Sequence, residues 1–210
     1  MKKKKYILIE SQYFPNLEYF LLIKNNSNIL INNDGIYKKR TFRNRCVILD
    51  SNGKINLSVP IITSSSSKIL RDIRIDNSEN WSKIHLRSLQ TSYGKSPFFS
   101  YYKDYIFDCL KMRHNFLIDL NHDLLTLICK FLDLKKKIRY VDEKRLNSCD
   151  FDDYRNIVNP KSLYSSRKIF DPYQYTHVFG KDFVPNLSII DLLFSEGPRS
   201  IEVINNSDSF

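Results

Sequence analysis

The stretch Tyr6-Ile7-Leu8-Ile9-Glu10-Ser11-Gln12-Tyr13-Phe14-Pro15 decides the fold of this 210-residue chain. Its apolar run, rich in isoleucine, is typical of a buried strand, and the proline predicts that the strand has ended by then. A short helix over 17–24 and a second strand over 28–32 are predicted next. The order strand, turn, helix, strand favours a parallel crossover. The turn 12–15 is therefore expected at the carboxyl edge of a sheet, where α/β folds bind ligands.

A β-hairpin is predicted around Ser51-Asn52-Gly53, because alternating segments over 45–50 and 54–61 flank it and Asn-Gly is a strong two-residue turn signal. Alternating isoleucines predict a further strand over 69–75. Three helices follow, one from Trp81, one after Pro97 and one capped by Asn121. Each has an apolar face at helical spacing, and the second face is expected to include Tyr105.

The last third of the chain combines a predicted strand over 137–141 with a polar, irregular segment near 142–184, long enough to be a functional loop or lid. A helix is predicted after Ser188, with Asp191 in a capping-box-like position and Gly197 as its stop. Another short helix is expected over 199–205. The fold class is therefore α/β, a single compact domain over 1–210 in which helices flank a mixed sheet with a β-hairpin.

Composition excludes several protein classes. A hydrophobic content of 42% with 5 glycines excludes a disordered or collagenous chain. No apolar run approaches the roughly 20 residues of a membrane-spanning helix. The basic start, residues 1–5, is followed by too short an apolar run for a secretion signal, so we expect a cytoplasmic protein. The four cysteines lack zinc-site spacing, so reduced thiols and no metal site are expected.

The formal net charge of +10 favours partners with phosphates, nucleic acid or acidic sugars. Its densest part is the segment 37–45, where five cations surround two aromatic residues before the hairpin. This pattern suits binding of a phosphate or carboxylate, and the alternative is a solvated approach to the hairpin. If the segment is extended, Arg43 and Arg45 point to one face and Asn44 to the other.

Residues for catalysis are few. Walker, nucleophile-elbow, zinc-protease and dinucleotide motifs do not occur in the sequence. His85 is the best candidate for a general base, although its apolar helix face also fits a buried structural histidine. His177 lies in the irregular segment, where a loop position favours function. Asp150-Phe151-Asp152 matches the Asp-x-Asp pattern by which many glycosyltransferases hold a metal and a sugar diphosphate.

Motifs spread along the chain resemble, in order and nearly end to end, the WbqC-like family: Gln12–Pro15, Glu18–Phe20, Tyr37–Arg45, Leu57–Pro60, Trp81–His85, Tyr93–Phe99, Leu120–Asn121 and Phe183–Gly197. The most specific part is Pro185–Phe194. The chain departs from the family pattern at Tyr13, where many members have proline, and at His177, where many have glutamine. The glycine-rich stretch that many members have before this point is missing.

The resemblance implies an enzyme of surface-polysaccharide (O-antigen) biosynthesis, an aminoacyl or glycine transferase that acylates an amino sugar. In that reaction His85 would be the base, while Arg43, Asn44 and Arg45 would bind a donor phosphate or the oxyanion. Gln12 and Tyr13 would orient the acceptor. Further binding candidates are Tyr93, Asn121, His177 and Asp191.

The donor in this scheme needs no separate cofactor. It would be an anionic small molecule, a sugar nucleotide or an activated acyl carrier such as aminoacyl-tRNA. The alternatives are a sugar-nucleotide-binding or scaffold protein of the same pathway without catalysis, and a glycosyltransferase that uses Asp150 and Asp152. The aminoacyl transferase requires that the exit of the first strand and the cationic segment meet at one hollow.

Overall fold

Four parallel strands form the main sheet of the computed structural model, which describes residues 5–62, 68–180 and 182–208. These strands are β1 (Tyr6–Glu10), β2 (Asn28–Asn32), β5 (Lys137–Val141) and β6 (Phe151–Asp153), in the order β5-β2-β1-β6. A separate antiparallel hairpin consists of β3 (Arg45–Asp50) and β4 (Gly53–Ser58). The predicted parallel crossover from the first strand to the second is confirmed. Residues 1–4 of the basic start lie outside the described residues.

Seven α-helices accompany the strands in the described residues: α1 (Leu17–Asn25), α2 (Trp81–Tyr93), α3 (Phe99–Lys111), α4 (Leu117–Phe131), α5 (Glu143–Leu146), α6 (Ile189–Glu196) and α7 (Ser200–Asn206). Short 3-10 turns occur at Leu70–Asp72, Tyr164–Ser166 and Gly197–Arg199. The predicted α/β class, with helices beside a sheet and a hairpin, is confirmed for one compact domain. No helix in the described part of the chain has the length and apolar character needed to span a bilayer.

Both faces of the main sheet are covered, which explains the continuous apolar sequence of its first strand. Ile7 and Ile9 pack in the large core with the helices, whereas Leu8 points to the opposite face. There it joins Leu30 and Leu146 in a smaller cluster. Strands of a parallel sheet buried on both sides are apolar at successive positions rather than alternating.

Three local predictions are wrong. The alternating isoleucines over 69–75 do not form a strand; they contain the 3-10 turn Leu70–Asp72, and Ile69 and Ile75 take part only in isolated β-bridges. Tyr105, expected in the core, is 58% exposed. Asn121 lies inside α4 rather than at its start, and its buried amide bonds to other segments.

Two other predictions need refinement. The hairpin turn consists of Ser51 and Asn52, because Asp50 pairs with Gly53, whose φ of +112° suits glycine at this position. The segment 142–184 is not irregular throughout. It contains α5 and also β6, which pairs with β1 and completes the sheet.

Candidate functional site

A cavity of about 280 Å³ opens at the carboxyl edge of the parallel sheet. Its wall includes the last residues of three strands, Glu10, Asn32 and Asp153. The chain passes from β1 to β2 on one side of β1, and β6 returns on its other side. This reversal of strand order is the switch point at which open α/β sheets bind ligands. The remaining described residues of the wall are Asp34, Gly35, Ile36, Lys38, Arg43, Leu70, Glu143, Arg155 and Asn156.

Glu10 is a nearly buried carboxylate at the base of this cavity, with 5% of its surface exposed. One of its oxygens accepts a hydrogen bond from Gln12 Nε2 at 3.2 Å, and the other accepts one from the backbone N–H of Asn156 at 2.7 Å. Burial raises the pKa of the Glu10 carboxyl, although the positive charge of Arg43 opposes this shift. A carboxylate with a raised pKa in a cavity can take up a proton from a bound group.

Arg43 supplies a positive charge to the same cavity. Its side chain donates to Thr41 Oγ1 at 3.3 Å and to Asn156 Oδ1 at 3.0 Å. Its Nε is buried and has no hydrogen-bond partner among the described residues. Burial lowers the pKa of this guanidinium, against the attraction of Glu10. An incompletely satisfied, nearly buried guanidinium is suited to binding an anionic group.

Ion pairs surround the opening of the cavity. Arg155 lies 2.7 Å from Glu143 and 2.7 Å from Asp153. On the opposite side Asp34 is 2.6 Å from Arg71 and also accepts a hydrogen bond from the backbone N–H of Glu143. The ends of β2, β5 and β6 are thus joined through charged side chains. Because these pairs are partly exposed, they position the opening more than they stabilise the fold.

Two sequence-predicted residues, Gln12 and Asn121, are not among the described residues that line this cavity, but they bond to residues next to it. Gln12 donates through Nε2 to the carbonyl of Val158 at 3.1 Å as well as to Glu10. Asn121 donates through Nδ2 to the carbonyl of Arg43 at 2.9 Å and to Ser11 Oγ at 3.1 Å. Gln12 and Asn121 therefore position the strand exit and the cationic segment relative to each other.

The predicted alternation assumed an extended segment, but residues 39–44 form turns and bends, and β3 begins only at Arg45. Asn44 donates to the carbonyl of Val59, at the end of the hairpin, at 2.8 Å. Arg45 and Arg43 both lie near Tyr37. Burial raises the pKa of the Tyr37 hydroxyl, and the positive charges of the two arginines oppose this rise. Neither Asn44 nor Arg45 is among the described residues that line the cavity.

Tyr13 and His85 form a pair inside the core. The Tyr13 hydroxyl lies 2.8 Å from His85 Nδ1, and the imidazole packs edge-on against Trp81. His85 is 3% exposed, and burial lowers its pKa to about 4. It is not one of the described residues of the cavity wall. The predicted base therefore lies in the core, against Tyr13 and Trp81.

Tyr93, His177 and Asp191 meet in a second buried group, which also includes Tyr175. The fully buried Asp191 carboxylate accepts hydrogen bonds from Tyr93 at 2.8 Å and Tyr175 at 2.7 Å. His177 Nδ1 lies 2.9 Å from the same carboxylate, and its Nε2 accepts the backbone N–H of Val184 at 3.1 Å. Asp191 therefore does not complete a capping box. It connects α2 and the segment 142–184 to α6.

Asp152 lies in the edge strand β6, and Asp150 directly precedes this strand. Asp152 pairs with Lys5 at 2.8 Å. The described residues contain no group of three or more His, Cys, Asp or Glu side chains that could hold a metal ion. Sequence reasoning missed Glu10, Asn32 and Asp34 because polar residues at the end of a strand, or just after it, are common and do not by themselves indicate a site. The sequence did contain a signal for this site. Polar residues follow the second predicted strand, which was expected to run parallel to the first and so to end at the same edge of the sheet as the turn 12–15.

Comparisons with known proteins agree over most of the chain. The model of the WbqC-like protein family matches residues 10–203. One curated protein, "Uncharacterized protein Rv1507c" of Mycobacterium tuberculosis, is 29% identical over 223 residues, which covers 94% of this chain and 96% of that protein. No solved structure matches the chain.

Proposed function

Because the chain belongs to the WbqC-like protein family, we propose that it is an aminoacyl transferase that acylates the amine of an amino sugar in surface-polysaccharide biosynthesis. One observation supports this proposal most directly. A nearly buried carboxylate, Glu10, and a nearly buried guanidinium, Arg43, line the same cavity at the switch point of the sheet. Acyl transfer from an activated donor needs these two groups, one as a proton acceptor and one as an anion-binding site.

The reaction assigns a separate task to each group. The sugar amine attacks the acyl carbon of the donor and forms the C–N bond, while Glu10 takes the proton that the nitrogen loses. The bond from the acyl carbon to the leaving oxygen breaks, and that oxygen keeps the electron pair. Arg43 stabilises the departing negative charge through its guanidinium. An ester oxygen, as in aminoacyl-tRNA, recovers the proton from Glu10, whereas a phosphate leaves as an anion.

Mass spectrometry of the surface polysaccharide tests this function in cells with and without the gene. We expect loss of an amide-linked substituent without the gene and recovery with the native chain. The variant Glu10→Gln should fail to restore the substituent, whereas Glu79→Gln, on an exposed residue, should restore it fully. Restoration by Glu10→Gln would contradict the assignment of the base. His85→Gln in the same assay tests the alternative base.

The donor can be identified by its response to salt. Neutralised phosphates of a nucleic acid make binding strongly salt-dependent, so KM for an aminoacyl-tRNA donor should rise steeply with ionic strength. A small acyl phosphate should show a much weaker response. A flat response would exclude the tRNA donor and leave the small anionic donor.

A binding protein without catalysis is the second candidate, and the geometry of Glu10 favours it. Both carboxylate oxygens already accept hydrogen bonds, from Gln12 and from the backbone of Asn156. A carboxylate satisfied in this way can serve to position Arg43 rather than to take up a proton. In that case Glu10→Gln would weaken donor binding but leave the amide-linked substituent on the polysaccharide.

A further inference from the structure

A second cavity, of about 400 Å³, lies next to the first one. The ion pair between Asp34 and Arg71 joins their walls, since Asp34 lines the first cavity and Arg71 the second. Two consecutive residues at the end of β2 also line different cavities: Asn32 lines the first cavity and Asn33 lines the second. Two ligands bound in these cavities would therefore be neighbours.

The second cavity contains two polar atoms with unused hydrogen-bonding capacity. Asn33 Oδ1 and the Tyr140 hydroxyl are buried and have no hydrogen-bond partner among the described residues. Buried polar atoms in native proteins are almost always paired. Asn33 Oδ1 can only accept a hydrogen bond, while the Tyr140 hydroxyl can donate or accept. A ligand with hydroxyl or amino groups would satisfy both atoms.

Aromatic side chains provide the apolar part of the same wall. The Tyr140 ring packs edge-on against the His122 ring, with 4.7 Å between centroids, and Phe116 lies beside them. An apolar surface with a few convergent polar groups is the usual form of a small-molecule site. It suits a pyranose, whose C–H faces lie against rings and whose hydroxyls bond at its edge.

The charges of this cavity disfavour a phosphate. Among its described lining residues the permanent cation is Arg71, which lies 2.6 Å from Asp34, 3.7 Å from Asp142 and 3.9 Å from Asp72. Asp119 adds an exposed carboxylate to the wall. Because this cation is already paired with carboxylates, the wall favours hydroxyl and ammonium groups over an anionic ligand. The first cavity also has carboxylates in its wall, but it differs in its cations, because the Nε of Arg43 has no hydrogen-bond partner among the described residues and Lys38 also lines the wall.

We propose that the second cavity binds the sugar acceptor through Asn33, Tyr140 and Asp119, while the first cavity binds the anionic acyl donor. The inference rests on the proposed function and assigns its two substrates to two adjacent subsites. The Asp34–Arg71 pair then lies between donor and acceptor, where it sets their separation.

Amide NMR spectra of the full-length protein, titrated with glucosamine, N-acetylglucosamine and glucose, test the acceptor site. We expect shifts at Asn33, Asp119 and Tyr140, with smaller ones at Arg43 and Asn156. Tyr140→Phe removes one hydroxyl and should weaken binding about 3- to 10-fold, the effect of one lost hydrogen bond. Tyr173→Phe makes the same chemical change at an exposed residue outside this cavity and should leave binding unchanged.

Three results would overturn the acceptor site. The first is that no saccharide causes a shift, and the second is that the native protein and Tyr140→Phe bind the saccharide equally well. The third is that uridine monophosphate displaces the saccharide and itself shifts the Tyr140 signal. Failure of the transferase is distinguishable from failure of this site. Saccharide binding at Tyr140 without acyl transfer would leave the sugar site in place, whereas acyl transfer without these shifts would overturn the sugar site alone.

Discussion

Arg167 donates two parallel hydrogen bonds to the carboxylate of Glu18, at 2.7 Å from Nε and 2.5 Å from Nη2, although 149 positions separate the two residues. Glu18 lies in the first turn of α1 and is fully buried. The pair therefore connects the long segment 142–184 to the helix that follows the first strand. This segment contributes Glu143, Asp153, Arg155 and Asn156 to the wall of the first cavity.

Removal of Arg167 should destabilise the protein strongly. In Arg167→Met the Glu18 carboxylate would stay buried. Among the described residues, the neutral side-chain amide of Asn186 would be the one side chain that still donates a hydrogen bond to it. We expect a loss of about 3–5 kcal/mol in the free energy of unfolding, measured in urea, because an uncompensated charge remains in the core. Arg199→Met removes a guanidinium from a side chain that is 73% exposed and should cost less than about 1 kcal/mol. Equal stability of the two variants would contradict the prediction.

Acidification should destabilise the protein through His85. Burial lowers the pKa of His85 to about 4 in the folded state, below its ordinary value of 6.5. Between these values the unfolded chain binds a proton that the folded chain does not, so stability falls as the pH falls from about 6.5 to 4. The loss from this group reaches about 3 kcal/mol at most. Urea unfolding over this pH range should show a shallower slope for His85→Gln, and an unchanged slope would exclude His85 as the cause.

Asp191 should be essential for the packing of α6. Asp191→Ala would leave the buried hydroxyls of Tyr93 and Tyr175 without their acceptor, and each unsatisfied group costs about 1–3 kcal/mol. We expect a loss of several kcal/mol in thermal or urea unfolding. Asp104→Ala, on the exposed face of α3, is the matched control and should change stability by less than about 0.5 kcal/mol. A small effect at Asp191 would mean that other groups satisfy the two tyrosines.

Cys149 should react with iodoacetamide before the other cysteines. Cys46, Cys109 and Cys129 are buried, whereas Cys149 is half-buried. Burial raises the pKa of the Cys109 and Cys129 thiols to about 12, and alkylation requires the thiolate. Mass spectrometry of the native protein should show one early modification, at Cys149, and the remaining three only after denaturation. Early labelling of Cys109 or Cys129 would show that α3 and α4 open locally.

Local sequence signals predicted most of the fold, because the strands and helices follow from short apolar patterns. The strands over 28–32 and 137–141 agree with the structure residue by residue. The segment 69–75 has the alternation of a strand but lacks a continuous partner, so its backbone bonds are distributed over a 3-10 turn and isolated bridges. Strand pairing depends on distant residues, which a local pattern does not contain.

The candidate site was predictable only in part. Gln12, Arg43 and Asn121 do lie together, since the strand exit and the cationic segment meet at Glu10 and Asn156. Arg155 and Asn156 reach this place only because β6 pairs with β1, and the short, polar sequence of β6 gives no strand signal. Tyr93, His177 and Asp191 also meet, although in a buried network rather than at the first cavity.

The position of β1 between β2 and β6 determines the order in which the strands of the sheet can pair during translation. β1 and β2 emerge early from the ribosome and can pair at once, but the other edge of β1 has no strand until residues 151–153 have been made. A nascent chain that ends before them leaves the apolar strand edge open to association with other chains. The first cavity is complete only when about three quarters of translation has taken place, because its wall includes residues 153–156, so truncated products lack it.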